Sequence, residues 1–317
     1  MAKPVVLLYE PMHAKAMELL RERAEVRIAS SLDEDELVKI VGDVDGLIIR
    51  ANGKITRRLM EAAPKLKVVA RHGTGVEAID RQAAAELGIQ VVNTPEANVE
   101  SVAEQCLGMM IILSKRILLA DKRLRAGDWS ARYQLIGTEL YQKTLGIVGF
   151  GRIGRRLAEM CRFGFAMPVI YTDAVAYPEH EARLGARRVS LDELLGAADF
   201  VSIHTPLLPE TKGILSEAAL RKMKSTAFLI NSSRGPTVDQ NALVRALQEG
   251  WIAGAGLDVF DPEPLPADNS LLKFENVVVT PHMAAHTDEA LMRMAMVFED
   301  VLAVIEGRPP KYPVPPP

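Results

Sequence analysis

Gly149, Gly151 and Gly154 are spaced G-x-G-x-x-G within Gly146-Ile147-Val148-Gly149-Phe150-Gly151-Arg152-Ile153-Gly154, and they constrain the fold more than any other feature of the chain. A buried strand over 144–148 that passes through a tight glycine turn into a helix over 152–163 is the fingerprint of a dinucleotide-binding βαβ unit. Gly149 permits the turn, Gly151 lets the backbone approach a pyrophosphate, and Gly154 lets the helix lie close on its strand. Arg152 and Ile153 begin that helix, where unpaired N–H groups and the positive dipole end favour phosphate. The next strand, over 169–172, ends at Asp173, nineteen residues beyond Gly154, where the ribose-binding acid of such a unit is expected. The Asp173 carboxylate suits both ribose hydroxyls of NAD and repels the 2′-phosphate of NADP, and the following Ala174 and Val175 supply no arginine to offset it. The predicted cofactor is NAD.

The fingerprint stands in the middle of the chain, and the first hundred residues already alternate strand and helix. Strands are predicted over 5–9, 26–29, 47–50, 68–70 and 90–92, with helices over 12–23, 35–41, 56–62 and 79–87 between them. Such alternation builds a parallel sheet covered on both faces. No glycine fingerprint follows the first strand, so this unit is an α/β domain that does not itself hold a dinucleotide. One helix, over 99–123, follows the 3.6-residue period and would run about 35 Å. Further strands are predicted over 200–204, 227–231, 252–259 and 277–280. A single helix near 287–306 is left over at the end, followed by a proline-rich segment, 309–317, predicted to lie extended on the surface.

At 317 residues the chain has room for about two domains of ~150 residues, and 48% hydrophobic content supports a sizeable core. A net charge of −3 argues against a nucleic-acid-coating or membrane-surface protein, and no apolar run approaches the ~18 residues of a membrane span. Cys106 and Cys161 lack C-x-x-C spacing and read as reduced core thiols of a cytoplasmic protein. No metal-ligand cluster is evident, and none is expected.

Three polar residues follow strands downstream of the fingerprint, where parallel α/β sheets place their ligands. Arg234 follows Asn231-Ser232-Ser233, Glu263 sits in Asp261-Pro262-Glu263-Pro264, and His282 follows Pro281. Singly, they read as a surface ion pair, a turn and a loop; in this order after a cofactor motif, they read as a site. A planar, permanently charged Arg234 can pair with the carboxylate of a 2-oxo acid while polarising the adjacent carbonyl. His282 can give a proton to the ketone oxygen or take one back, and Glu263 can fix its tautomer and favour its charged form.

With these motifs the chain resembles the D-isomer-specific 2-hydroxyacid dehydrogenases over essentially its whole length. The resemblance also rests on Arg71-His72-Gly73-Thr74-Gly75-Val76, Asn93-Thr94-Pro95, Val102-Ala103-Glu104, His204-Thr205-Pro206-Leu207 and Gly256-Leu257-Asp258-Val259-Phe260. It implies two Rossmann-like parallel-sheet domains, with the cofactor domain (99–286) inserted into a flavodoxin-like substrate domain (1–98 plus 287–317) that recovers the leftover helix. It implies Arg234, Glu263 and His282 as catalytic residues. His204, Thr205 and Pro206 would lie under the adenosine, His204 either contacting it or merely packing, and Ser232, Ser233 and Asp258 would lie at the nicotinamide. Substrate would meet Arg50 and the stretch His72, Gly73, Thr74 and Gly75, whose amides from Gly73 to Val76 form a nest for its carboxylate.

The expected reaction is oxidation of D-3-phosphoglycerate to 3-phosphohydroxypyruvate, with Arg50 either reaching the distal phosphate or structural. Ala51 and Ala78, where phosphoglycerate enzymes usually carry serine and often asparagine, and His286, in place of a small residue, weigh against phosphate and leave hydroxypyruvate or glyoxylate reduction as the alternative. A non-catalytic NAD-sensing protein is the distant one. With the chain ending at 317, feedback through an appended regulatory module is not expected. Trp129, Tyr133 and Leu135 lie in an irregular connection and need a surface to cover them, so a homodimer built on the cofactor domain is predicted.

Overall fold

A computed structural model describes residues 3–317. The chain forms two compact units, one from the residues up to Asn98 together with His286–Pro317, the other from Val99–Ala285.

In the first unit, β1 (Val5–Leu8), β2 (Glu25–Ile28), β3 (Gly46–Ile49), β4 (Val68–Arg71) and β5 (Gln90–Val92) form a fully parallel sheet in the order β2-β1-β3-β4-β5. This is the flavodoxin-like order, with its switch point between β1 and β3. Successive strand residues face opposite layers. Leu7, Leu47, Ile49 and Val69 join one apolar cluster, and Val6, Leu8, Ile48, Val68 and Ala70 the other. The second cluster is closed by Met17 and Leu20 from the helix Ala14–Arg23 and by Phe298, Val301 and Leu302 from the helix Val297–Ile305. The last helical segment therefore returns to the first sheet, where each buried large side chain contributes about 1.5–3 kcal/mol.

The structure corrects the single helix read over 287–306, which is two helices, Asp288–Ala295 and Val297–Ile305, meeting at Met296. The proline-rich tail lies extended on the surface, as its composition predicts, and is tied down there. Buried Asp300 accepts the Lys311 and Tyr312 amides at 2.6 and 3.1 Å. Pro313 then pairs antiparallel with Val92 on the open edge of β5, a position where a missing N–H is tolerated.

In the second unit, seven parallel strands run in the order β12-β11-β10-β9-β6-β7-β8. They are β6 (Leu145–Val148), β7 (Val169–Thr172), β8 (Arg187–Arg188), β9 (Phe200–Ile203), β10 (Phe228–Asn231), β11 (Gly254–Leu257) and β12 (Val277–Val279). The helices Val99–Lys115 and Arg152–Phe165 cover one face through Cys106, Met110, Leu157 and Cys161. Leu191–Ala197 and Gln240–Gln248 cover the other through Leu194, Leu195, Leu243 and Leu247. Strand order reverses between β6 and β9, and the glycine turn after β6 opens into that crevice.

The helix read over 99–123 ends at Lys115. Arg116 takes a left-handed φ of 56°, and a separate helix, Ile117–Arg125, follows. The Ser114 carbonyl accepts the Thr138 amide at 2.8 Å, so a later loop caps the helix end. Cys106 and Cys161 are unpaired and buried, and burial pushes their pKa values up to about 11 and about 12, so both are thiols. Among the described residues no helix is long and apolar enough to cross a membrane.

Candidate active site

The glycine turn is shaped by contacts that no other residue allows. Gly149 has φ +92°, and a Cβ there would lie 2.8 Å from the Thr205 nitrogen. A Cβ at Gly154 would lie 2.4 Å from the Gly149 carbonyl oxygen, whereas one at Gly151 would meet nothing within 4 Å. The turn is thus crowded below and open above. Gly151 caps the helix Arg152–Phe165 with no side-chain hydrogen bond to the first-turn amides, which leaves those donors for an anion.

The Asp173 carboxylate is fixed by two amides, Phe150 at 2.7 Å and Val175 at 3.0 Å, and each oxygen keeps a further lone pair. The hydroxyls of Thr205 and Ser232 are buried without a hydrogen-bond partner among the described residues. Open turn, uncapped helix start, strand-end carboxylate and two orphaned hydroxyls together fit a dinucleotide. We propose Gly149, Gly151, Arg152, Ile153, Gly154, Asp173, Thr205 and Ser232 as the residues that would hold it.

His204 and Ser233 hold bonds within the protein. The His204 ring bonds the buried Ser202 hydroxyl at 2.8 Å, and burial lowers its pKa to about 4, so it packs as a neutral ring. The Ser233 hydroxyl is spent on Asn231 at 2.9 Å. Arg155 lies over the Tyr177 ring at 4.6 Å, and Arg156 pairs with Glu100 and Glu159 at 2.7 Å each. The sequence around Asp173 holds no arginine, but the fold supplies one. Arg188, on the neighbouring strand, donates to the Asp173 carbonyl at 2.7 Å.

Arg234, Glu263 and His282 follow three adjacent parallel strands, β10, β11 and β12, and so occupy one edge of the sheet. Asn231 organises the turn that carries Arg234, its Nδ2 donating to the Arg234 carbonyl at 3.1 Å while its Oδ1 accepts the Ser233 amide at 3.0 Å. A Cβ at Gly235 would lie 1.8 Å from the Phe260 carbonyl oxygen, so the Arg234 and Glu263 turns are packed backbone to backbone. Glu263 Oε1 accepts the Phe260 amide at 2.9 Å, and its Oε2 bonds His282 Nδ1 at 2.8 Å.

That bond is the main cause of a raised His282 pKa, against the opposing effects of burial and the Arg234 charge. For Glu263, burial pushes the pKa up, but the bonds from His282 and the Phe260 amide outweigh it, and the carboxyl ends below its ordinary value. The pair therefore favours imidazolium beside carboxylate.

The loop bearing His282 depends on Asp258, which is buried at 1% exposure. Its carboxylate accepts the Thr280 hydroxyl at 2.5 Å and the Met283 and Ala284 amides at 2.9 Å each. The Asp258 carbonyl takes the His282 amide at 2.8 Å. These bonds hold His282 at a left-handed φ of 51°, a conformation that surroundings must enforce on a residue with a Cβ. Sequence reasoning placed Asp258 at the nicotinamide and missed this anchoring role, because its partners lie more than twenty residues downstream.

In the first unit, the loops after β1 and β3 meet at the switch point. The Glu10 carboxylate accepts the Ala51 and Asn52 amides at 2.7 and 3.0 Å and the Asn52 side chain at 2.9 Å. Arg50 donates to the Pro11 carbonyl at 3.0 Å. Burial pushes the Glu10 pKa up, but these bonds and the Arg50 charge outweigh it and keep Glu10 ionised.

The nest read over Gly73–Val76 loses one donor, since the Gly73 amide is spent on Thr94 Oγ1 at 3.1 Å. The Thr74, Gly75 and Val76 amides donate to no group among the described residues. Asn93 and Arg71 brace the loop through the carbonyls of Thr74 and Gly75 at 2.7 and 2.8 Å. His72 is buried, with an orphaned Nε2, and its pKa is lowered to about 4 by burial first and then by Arg50 and Arg71.

Residues 107–284 match the sequence profile of the D-isomer specific 2-hydroxyacid dehydrogenase NAD-binding domain. The chain belongs to this family. As a D-2-hydroxyacid dehydrogenase with an NAD-binding domain, it is 40% identical over 315 residues to a glyoxylate reductase of Korarchaeum cryptofilum, covering 97% of this chain and 95% of that one. It is also 40% identical over 304 residues to the D-3-phosphoglycerate dehydrogenase of Methanocaldococcus jannaschii, covering 95% of this chain but 57% of that longer protein. Among solved structures, a protein of Thermus thermophilus superposes with a TM-score of 0.91 at 40% identity, covering 98% of this dehydrogenase and all of that chain.

Proposed function

We propose that Arg234, Glu263 and His282 carry the reduction of a 2-oxo acid to a D-2-hydroxy acid and its reverse. Bound NADH supplies the hydride. His282 Nε2, the ring nitrogen that Glu263 does not hold, gives a proton to the carbonyl oxygen as negative charge builds there, and takes it back in oxidation. Glu263 keeps a proton on Nδ1 and the ring charged. Arg234 pairs with the substrate carboxylate; within the first unit, the Thr74, Gly75 and Val76 amides, on the loop that includes His72 and Gly73, form a nest that suits an anion. The observation that carries this reading is the 2.8 Å His282–Glu263 bond at the sheet edge that also bears Arg234.

For the substrate, we favour a short unphosphorylated acid, glyoxylate or hydroxypyruvate. The support is Glu10, ionised beside Arg50 and seated on the loop amides, which places negative charge where a distal phosphate would approach. Arg50 itself supports the second reading, 3-phosphohydroxypyruvate. Steady-state assays with NADH on glyoxylate, hydroxypyruvate and 3-phosphohydroxypyruvate, and with NAD on 3-phosphoglycerate and sulfolactate, decide it. The highest kcat/KM is expected with one of the first two; a higher value with 3-phosphohydroxypyruvate reverses the order.

We also propose a homodimer built on the second unit. Trp129, Tyr133 and Ile136 are 68%, 74% and 81% exposed, so they do not cap their own core. Ile136 borders a recess of about 580 Å³ walled by Ile112, Leu113, Leu118, Leu119 and Phe228. Projecting apolar groups beside a recess of mixed polar and apolar lining suit a contact with a second copy of the chain. Ile136→Asp is expected to shift the mass in solution from dimer to monomer, and a wild-type monomer overturns the proposal. The two buried, unpaired thiols support a reducing, cytoplasmic location.

A further inference from the structure

Arg188 is a charged group at the ribose end of the dinucleotide site that no role so far uses. β8 pairs in parallel with β7, and Arg188 stands opposite Tyr171. From there its side chain reaches forward past the strand end. Nε and Nη2 donate to the Asp173 carbonyl at 3.1 and 2.7 Å, and Nη2 also donates to the Ala174 carbonyl at 3.0 Å. A guanidinium has five N–H donors, and the two on Nη1 meet no acceptor among the described residues. The side chain is exposed and holds no carboxylate. Neighbouring arginines are committed elsewhere, Arg187 to Glu193 at 2.7 Å and Arg155 to Tyr177 and the Phe150 carbonyl.

The Asp173 carboxylate belongs to the same residue whose carbonyl Arg188 grips, yet the two charges do not pair. The carboxylate is turned to the Phe150 and Val175 amides. The ribose end of the site therefore carries an anion that selects for hydroxyls and, one peptide away, a cation with two spare donors.

We propose that Arg188 is a built-in receptor for a 2′-phosphate, masked by Asp173, so that the exclusion of NADP rests on that single carboxylate. The proposal depends on reading Asp173 as the ribose ligand. Under it, removing the Asp173 charge is enough to admit a 2′-phosphorylated adenosine, with no added arginine. Arg188 then forms the charge-assisted bonds that a lone surface carboxylate change cannot provide.

Calorimetric titration with adenosine 5′-monophosphate and with adenosine 2′,5′-bisphosphate tests this without turnover. Asp173→Asn keeps an acceptor for the turn amides, and Asp173→Ser serves as a second neutral variant should Asn present its NH2 to them. Either is expected to gain about tenfold or more in affinity for the 2′,5′-bisphosphate, the size of one charge-assisted hydrogen bond. Adding Arg188→Gln should abolish that gain while leaving 5′-monophosphate affinity in place, and adding Arg188→Lys should keep part of it. A gain that survives Arg188→Gln, or no gain in either folded Asp173 variant, overturns the proposal. Failure of the Asp173 reading has a different signature: wild-type protein that binds the bisphosphate as tightly as the monophosphate.

Discussion

Replacing His282 with alanine is expected to lower kcat by about 10²–10⁴-fold, the usual contribution of a general acid–base group, while leaving NADH affinity nearly unchanged. The two effects separate because of where the residues lie. The proton donor follows β12, whereas the residues proposed to hold the dinucleotide lie in the turns after β6, β7, β9 and β10. Glu263→Gln carries the sign. It keeps a bond to Nδ1 but makes the acceptor neutral, which weakens that bond and removes the Glu263 charge, both of which raise the His282 pKa. The ring then loses its proton at lower pH, so the descending limb of the pH profile for reduction moves to lower pH. Steady-state kinetics from pH 5 to 9 and NADH fluorescence titration read both variants. Near-normal turnover in His282→Ala, or an upward shift in Glu263→Gln, defeats the assigned roles.

What the sequence made legible follows the range of the interactions involved. The glycine fingerprint is local, and its three glycines meet the steric conditions their spacing implies, down to the 2.4 Å approach at Gly154. Strand positions were legible because parallel strands buried on both faces read as short apolar runs. The break at Arg116 was not, since no glycine or proline marks it and the group that caps the preceding helix, Thr138, lies over twenty residues away. Gln240–Gln248 was missed as a helix although Asp239 caps it through the Ala242 amide at 3.0 Å. That cap was readable, and the helix's apolar stripe should have been. Arg188 shows the same limit for function. Its proximity to Asp173 arises from β8 lying beside β7, and pairing across strands is absent from any count along the chain.

Asp258→Ala is expected to be the most damaging single change at the sheet edge, because it acts on structure and chemistry together. Three donors, the Thr280 hydroxyl and the Met283 and Ala284 amides, lose their acceptor at once. A buried donor left unpaired costs about 1–3 kcal/mol, and the Ala284 amide is the buried one of the three, so the denaturant midpoint should fall by an amount equivalent to ~1 kcal/mol or more. The loop would then no longer enforce the left-handed φ of His282, and a displacement of ~1 Å at a reacting group is enough to cost about 10²-fold in rate. Asp258→Asn separates anchoring from charge. It keeps one carboxyl-like oxygen but turns an NH2 toward a donor, so it should also lose turnover while unfolding nearer to wild type. The Glu263–His282 coupling supplies the diagnostic readout: with the loop displaced, the pH profile of the residual activity should lose the shift that Glu263 imposes. Wild-type stability and an unchanged pH profile in Asp258→Ala, with only NADH affinity reduced, would mean that Asp258 serves the cofactor alone and does not hold His282 in place.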